Sequence, residues 1–172
     1  MKAIETARLQ LREMSAERDA LFILEALNEP AFVRNVGDRG IRNEADAAEY
    51  IRMRVEAGFA QFGFGTWLVE LRDSGEAVGM CGLLKRDTLE DVDVGFTFLE
   101  RFWGNGYAFE AASAVMEFGW TVAKLPRIIA ITSPANASSI RLLEKLGLHF
   151  VERRRLTPDA PEVNVFEIQR AI

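Results

Sequence analysis

No part of this chain constrains its fold more than Arg101-Phe102-Trp103-Gly104-Asn105-Gly106-Tyr107-Ala108-Phe109-Glu110. Ahead of it Val92, Val94, Phe96 and Phe98 recur at every second position, with Asp91 and Asp93 on the opposite parity, as in a strand. Behind it Ala108, Ala111, Ala112, Val115, Gly119 and Val122 follow the three- and four-residue spacings of one helix face. A Gly-x-Gly turn thus leads from a strand into a helix N-terminus. There, unpaired N–H groups and the positive end of the helix dipole suit a phosphate.

Two common phosphate binders fail on residues. A dinucleotide fingerprint needs a third glycine where Phe109 stands, and an acid about 20 positions on; no Asp or Glu lies between Glu117 and Glu144. No Gly-Lys-Ser/Thr follows the turn, which removes the P-loop. A net charge of −5 argues against a nucleic-acid partner. One cysteine (Cys81) and one histidine (His149) argue against disulfides or a metal site. No apolar run approaches the ~20 residues of a membrane helix. The start Met1-Lys2-Ala3-Ile4-Glu5-Thr6 lacks a signal-peptide core, since Glu5 and Arg8 interrupt it. These features predict a cytoplasmic protein without metal, membrane or nucleic-acid partners.

The rest of the chain reads as one α+β domain over residues 1–172. Arg8–Arg12 alternates as a strand, and Ser15 opens a helix to about Leu27 that Asn28-Glu29-Pro30 ends. A second helix is predicted from Asn43 to Ala57-Gly58. Thr66–Arg72 and Ala77–Lys85 form a hairpin through Asp73-Ser74-Gly75-Glu76. Strand 91–98, helix 106–124, strand 127–131, helix 136–146 and strands 149–156 and 163–168 complete the order.

Trp103-Gly104-Asn105-Gly106-Tyr107-Ala108 with Glu110-Ala111 resembles the acetyl-CoA-binding loop of the GNAT superfamily of N-acetyltransferases, and especially its RimJ/RimL-like branch. Three further segments resemble that branch in the same order: Ile4–Arg12 its first strand, Gly79-Met80-Cys81-Gly82-Leu83 its third, and Asn136-Ala137-Ser138-Ser139 with Leu146-Gly147-Leu148 its fourth helix. The resemblance implies a mixed, mostly antiparallel sheet flanked by about four helices, with a bulge in the fourth strand. It implies acetyl-CoA as co-substrate, held by Phe96, Thr97 and Phe98, by Trp103, Gly104, Asn105, Gly106, Tyr107 and Ala108, and by Asn136 and Ser139. Trp103 stands where the superfamily has Gln or Arg; Arg101 offers an offset register. Leu143 stands where many members place a tyrosine acid.

The implied reaction moves an acetyl group from a thioester to an unprotonated amine. An α-amine titrates at about 7.7–8.0 and a lysine at about 10.4, so an N-terminal acceptor needs less of a base. By the resemblance, the strand splays at Gly95 and frees an N–H as oxyanion donor; a packing glycine is the alternative. Ser139, one helix face with Asn136 and Leu143, is the candidate to protonate the thiolate; a hydrogen bond to its own helical turn is the alternative. Asp93, through water, is the candidate base, with Asp91 its rival and a solvated carboxylate the bland reading of both. The acceptor is a peptide N-terminus or a small amine such as an amino acid, polyamine or aminoglycoside, and the protein a monomer or homodimer. A non-catalytic acyl-CoA sensor is the alternative from another class.

Overall fold

The computed structural model describes residues 3–171; Met1 and Lys2, with which the signal-peptide reading begins, and Ile172 lie outside them. The strands are β1 (Ile4–Glu5), β2 (Leu9–Glu13), β3 (Thr66–Leu71), β4 (Ala77–Leu84), β5 (Asp93–Phe98), β6 (Arg127–Thr132), β7 (His149–Arg155) and β8 (Glu162–Gln169). They form one sheet in the order β1-β2-β3-β4-β5-β6-β8-β7, antiparallel except where β5 meets β6. The helices are α1 (Ala16–Ala26), α2 (Pro30–Asn35), α3 (Glu44–Tyr50), α4 (Ala57–Phe62), α5 (Tyr107–Thr121) and α6 (Ala137–Lys145). A π-helical turn, Ile51–Glu56, fuses α3 and α4 into one run, leaving five α-helical bodies among the described residues where about four are expected. Among the described residues no helix is long and apolar enough to cross a membrane.

The sheet separates two apolar cores. On one face Trp67, Val69, Cys81, Leu83 and Val94 meet Ala111, Ala112 and Val115 of α5 and Leu143 of α6. On the other, Leu68 and Met80 meet Ile23 of α1 and Ala47 of α3, with Ile51 and Val55 of the π turn. Burial on both faces explains why alternation misassigns Asp93: its parity is not the wet one, and the residue is 1% exposed. Gly82 sits where the chain crosses closely. A Cβ there would lie 2.5 Å from Thr66 Cα and closer still to the Gly65 carbonyl oxygen.

The helix opened by Ser15 ends at its C-cap Leu27, where it is expected to end; Pro30 then occupies the first turn of a further helix, α2, where a missing N–H costs nothing. Two local expectations are corrected. Gly58 lies within α4, and the stop falls at Gly63, whose φ of 75° closes the helix. The strand carrying Gly95 does not bulge against β4: their register runs unbroken from Gly79↔Phe98 to Leu84↔Asp93. The interruption lies on its other side, where β5 pairs β6 only at Asp93↔Ile129 and then parts from it.

Candidate active site

Two glycines of left-handed φ, Gly104 (82°) and Gly106 (78°), turn the chain into α5. The turn is held from outside. Trp103 Nε1 donates to the carbonyl of Phe98 at 2.7 Å, and Asn105 Nδ2 to that of Phe102 at 2.9 Å. Arg8 donates to the Asn105 carbonyl at 2.8 Å and lies over the Tyr107 ring, 4.7 Å from its centroid. Glu110, one turn into α5, accepts from Thr6 Oγ1 at 2.6 Å, the Arg8 N–H at 2.8 Å and Arg8 Nε at 2.7 Å. Burial raises its pKa, but these hydrogen bonds and the Arg8 charge outweigh burial and leave it below the usual range. With the loop braced from behind, the N–H groups of residues 104–109 donate to no acceptor among the described residues.

Gly104, Gly106, Tyr107, Ala108 and Phe109 of this turn line a cavity of about 370 Å³. Of the residues expected to hold the co-substrate, Phe96, Thr97 and Phe98, Trp103, Gly104, Gly106, Tyr107 and Ala108, and Asn136 and Ser139 line it. Asn105 does not; its side chain is spent closing the turn. Lys145, at the end of α6, also lines it, with Nζ 4.2 Å from the Phe109 ring centroid. From sequence, Lys145 looks like an ordinary cation at a helix C-terminus. Arg101 pairs with Glu25 of α1 and covers Phe102, which commits it to bracing instead of the cavity.

The parting of β5 and β6 opens a second cavity, of about 440 Å³. The Ile129 N–H donates to the carbonyl of Val92, so even-numbered residues of β5 aim their backbone groups at β6. Beyond Asp93↔Ile129 the ladder stops, leaving the N–H and C=O of Phe96 facing the gap without a strand partner. Asp93, Gly95 and Thr97, on the other side-chain parity, line the second cavity, as does Ser139, which borders both. A Cβ on Gly95 would meet only Leu84, at an ordinary 3.5 Å, so close packing does not require the glycine.

Asn136 caps α6, accepting from the Ser139 N–H at 3.4 Å, and it is Ser138 whose hydroxyl bonds back to Asn136, at 3.1 Å. The Ser139 hydroxyl has no partner among the described residues. Asp91 is consumed by Arg127 and lines neither cavity. Asp93 Oδ1 accepts from Arg86 Nε at 2.9 Å. Burial lifts the Asp93 carboxyl above its usual range, against the opposing charge and hydrogen bond of Arg86. Cys81 is a buried thiol whose pKa burial pushes up, and His149 lies exposed on the edge strand β7, 3.5 Å from Glu167.

Similarity to known proteins follows this geometry. Residues 8–149 match the family model described as an acetyltransferase (GNAT) domain. The Bacillus subtilis protein YkkB is 30% identical over 149 residues, covering 84% of each chain. An acetyltransferase from Agrobacterium tumefaciens superposes with a TM-score of 0.80 at 25% identity, covering 99% of this chain and 95% of that one. RimL, a ribosomal L7/L12 α-N-protein acetyltransferase solved with coenzyme A, shares the fold at a TM-score of 0.79 and 14% identity, with 98% of each chain covered. A braced turn with unspent N–H groups, set beside a parted sheet and matched over most of its length, belongs to an enzyme: this chain is a member of the GNAT acetyltransferase family.

Proposed function

We propose that this enzyme is an acetyl-CoA-dependent N-acetyltransferase that acts by direct attack of a primary amine. The observation that carries the reading is that Gly104, Gly106, Tyr107, Ala108 and Phe109, whose N–H groups are unpaired among the described residues, line one cavity together with Phe96 and Ser139. The residues fit the group: N–H donors and Lys145 for phosphates, an apolar wall of Phe96, Phe98 and Phe102, and the free Phe96 carbonyl to accept from a pantetheine amide. When bound, acetyl-CoA supplies the electrophilic thioester carbonyl. The Phe96 N–H then meets the oxygen on which charge develops. Asp93 accepts the amine's proton through water, its raised pKa suiting it to base work nearer neutrality. The Ser139 hydroxyl donates to the departing thiolate. A thiol of pKa about 8.5 leaves readily, so this last contribution is modest.

Within the family, the motifs favour the RimJ/RimL-like branch, with a protein N-terminus or small-molecule amine as acceptor. The setting is cytoplasmic, the protein a monomer or homodimer. Gly106→Glu tests the loop. Its side chain enters a left-handed position and puts negative charge where phosphate would lie. Calorimetric titration is expected to show acetyl-CoA affinity lost while the circular dichroism spectrum stays native; undiminished affinity would overturn the assignment.

A further inference from the structure

The cavity between β5 and β6 is cationic in a chain of net charge −5: Arg39, Arg54 and Arg86 line it against one carboxylate, Asp93. Arg86 is already engaged by Asp93. The side chains of Arg39 and Arg54 make neither an ion pair nor a hydrogen bond among the described residues. Their neighbouring acids are spent elsewhere. Asp38 is held by Arg42 through both guanidinium nitrogens, and Glu56 accepts from the Ala16 N–H at 3.1 Å.

Two independent features show a built wall. The turn Ile51–Glu56 is π-helical, closing its hydrogen bonds five residues apart, which brings positions four and five apart to one face. Tyr50, Arg54 and Val55 accordingly all line this cavity. Thr132, at the end of β6, lines the same cavity, is 7% exposed, and its Oγ1 has no hydrogen-bond partner among the described residues. A buried hydroxyl left unpaired in a cavity wall is a waiting contact for a polar ligand.

We infer that the acceptor is a small amine bearing a carboxylate, an amino-acid-like molecule whose anionic end is met by Arg39 and Arg54. The inference rests on the acetyl-transfer reading and narrows it. Polyamines and aminoglycosides are polycations, which unpaired guanidiniums repel. The volume of about 440 Å³ suits a small molecule. A forked guanidinium is matched to a carboxylate. With that end fixed, the amine points along the wall toward Asp93 and Ser139. Its nitrogen forms the C–N bond to the acetyl carbon, the C–S bond breaks, and the proton lost by the amine is balanced by the one gained by the thiolate. The products are an N-acetyl amino-carboxylate and the free thiol.

The test is a thiol-release assay with acetyl-CoA, pairing free amino acids with their carboxamides and adding spermidine, kanamycin and a peptide with an acidic N-terminus. The free acids are expected to exceed their carboxamides in kcat/KM by about tenfold or more. Replacing both arginines, Arg39→Gln with Arg54→Gln, is expected to raise the KM of the free acids by at least about tenfold. The same change should leave KM for acetyl-CoA and turnover of the carboxamides unchanged. Carboxamides, polycations or the peptide used as well as the free acids would overturn the inference and leave acetyl transfer standing. Thiol release with none of these amines would remove the acetyl-transfer reading, and the inference with it.

Discussion

Asp93 enters the interior with a single side-chain partner, Arg86, and that isolation gives it a measurable signature. Its folded pKa is raised, whereas in the unfolded chain a carboxyl titrates near about 3.9. Below that value the group is neutral in both states and its burial costs little. As pH rises through the folded value, the native state must hold a buried charge and loses stability. Asp93→Asn removes that liability while keeping an oxygen for Arg86. Its melting temperature relative to wild type is therefore expected to climb as pH rises across this window. Its turnover is expected to fall by about a hundredfold as a base is lost. A relative melting temperature that drops with pH would reverse the charge assignment, and unchanged turnover would remove Asp93 from the chemistry. The sequence names Asp93 but misreads its surroundings, because alternation cannot report a second layer covering the other face.

At the level of elements, the turn before α5 depends on the β1–β2 connection almost a hundred residues earlier. Glu110 joins the two by accepting from both Thr6 and Arg8, and its pKa is lowered. Its contribution is present above the ordinary carboxylate range and lost as pH falls through the lower folded value. Glu110→Gln is expected to cost about 2 kcal/mol at neutral pH, a difference that closes in acid; chemical denaturation at pH 7 and pH 3 would show it. Local chemistry made much of this architecture legible. Asn43 caps α3, Asn136 caps α6, and the hairpin turns at Gly75, each where its residue type requires. What stayed illegible depended on context. Pro30 stops helices and starts them, and only the fold shows which. The π turn has no sequence mark, and Val122, on the apolar stripe of α5, falls past its end and is 62% exposed.

Across the whole molecule, two cores on opposite faces must be held to one sheet, and Arg12 does much of that work. From β2 it binds Asp19 of α1 with two nitrogens, at 2.9 and 2.8 Å, and Glu70 of β3 at 2.9 Å. Asp19 also accepts from the Ser15 N–H at 2.7 Å, tying the start of α1 to the same carboxylate. Asp19→Ala leaves Arg12 short of a buried partner and is expected to cost about 3 kcal/mol, or roughly 10 °C of melting temperature; a calorimetric shift below about 2 °C would make the pair incidental. No sequence pattern reveals that network, just as none reveals the arginines of the second cavity, since both assemble from distant segments. The single pairing between β5 and β6 has a consequence at this scale as well. Five strands stand on one side of it and three on the other, like two leaves of a book sharing one stitch. Whatever occupies the fold between the leaves serves as binding thread, so a filled enzyme should resist protease and heat as one volume, and an empty one should loosen first along its spine.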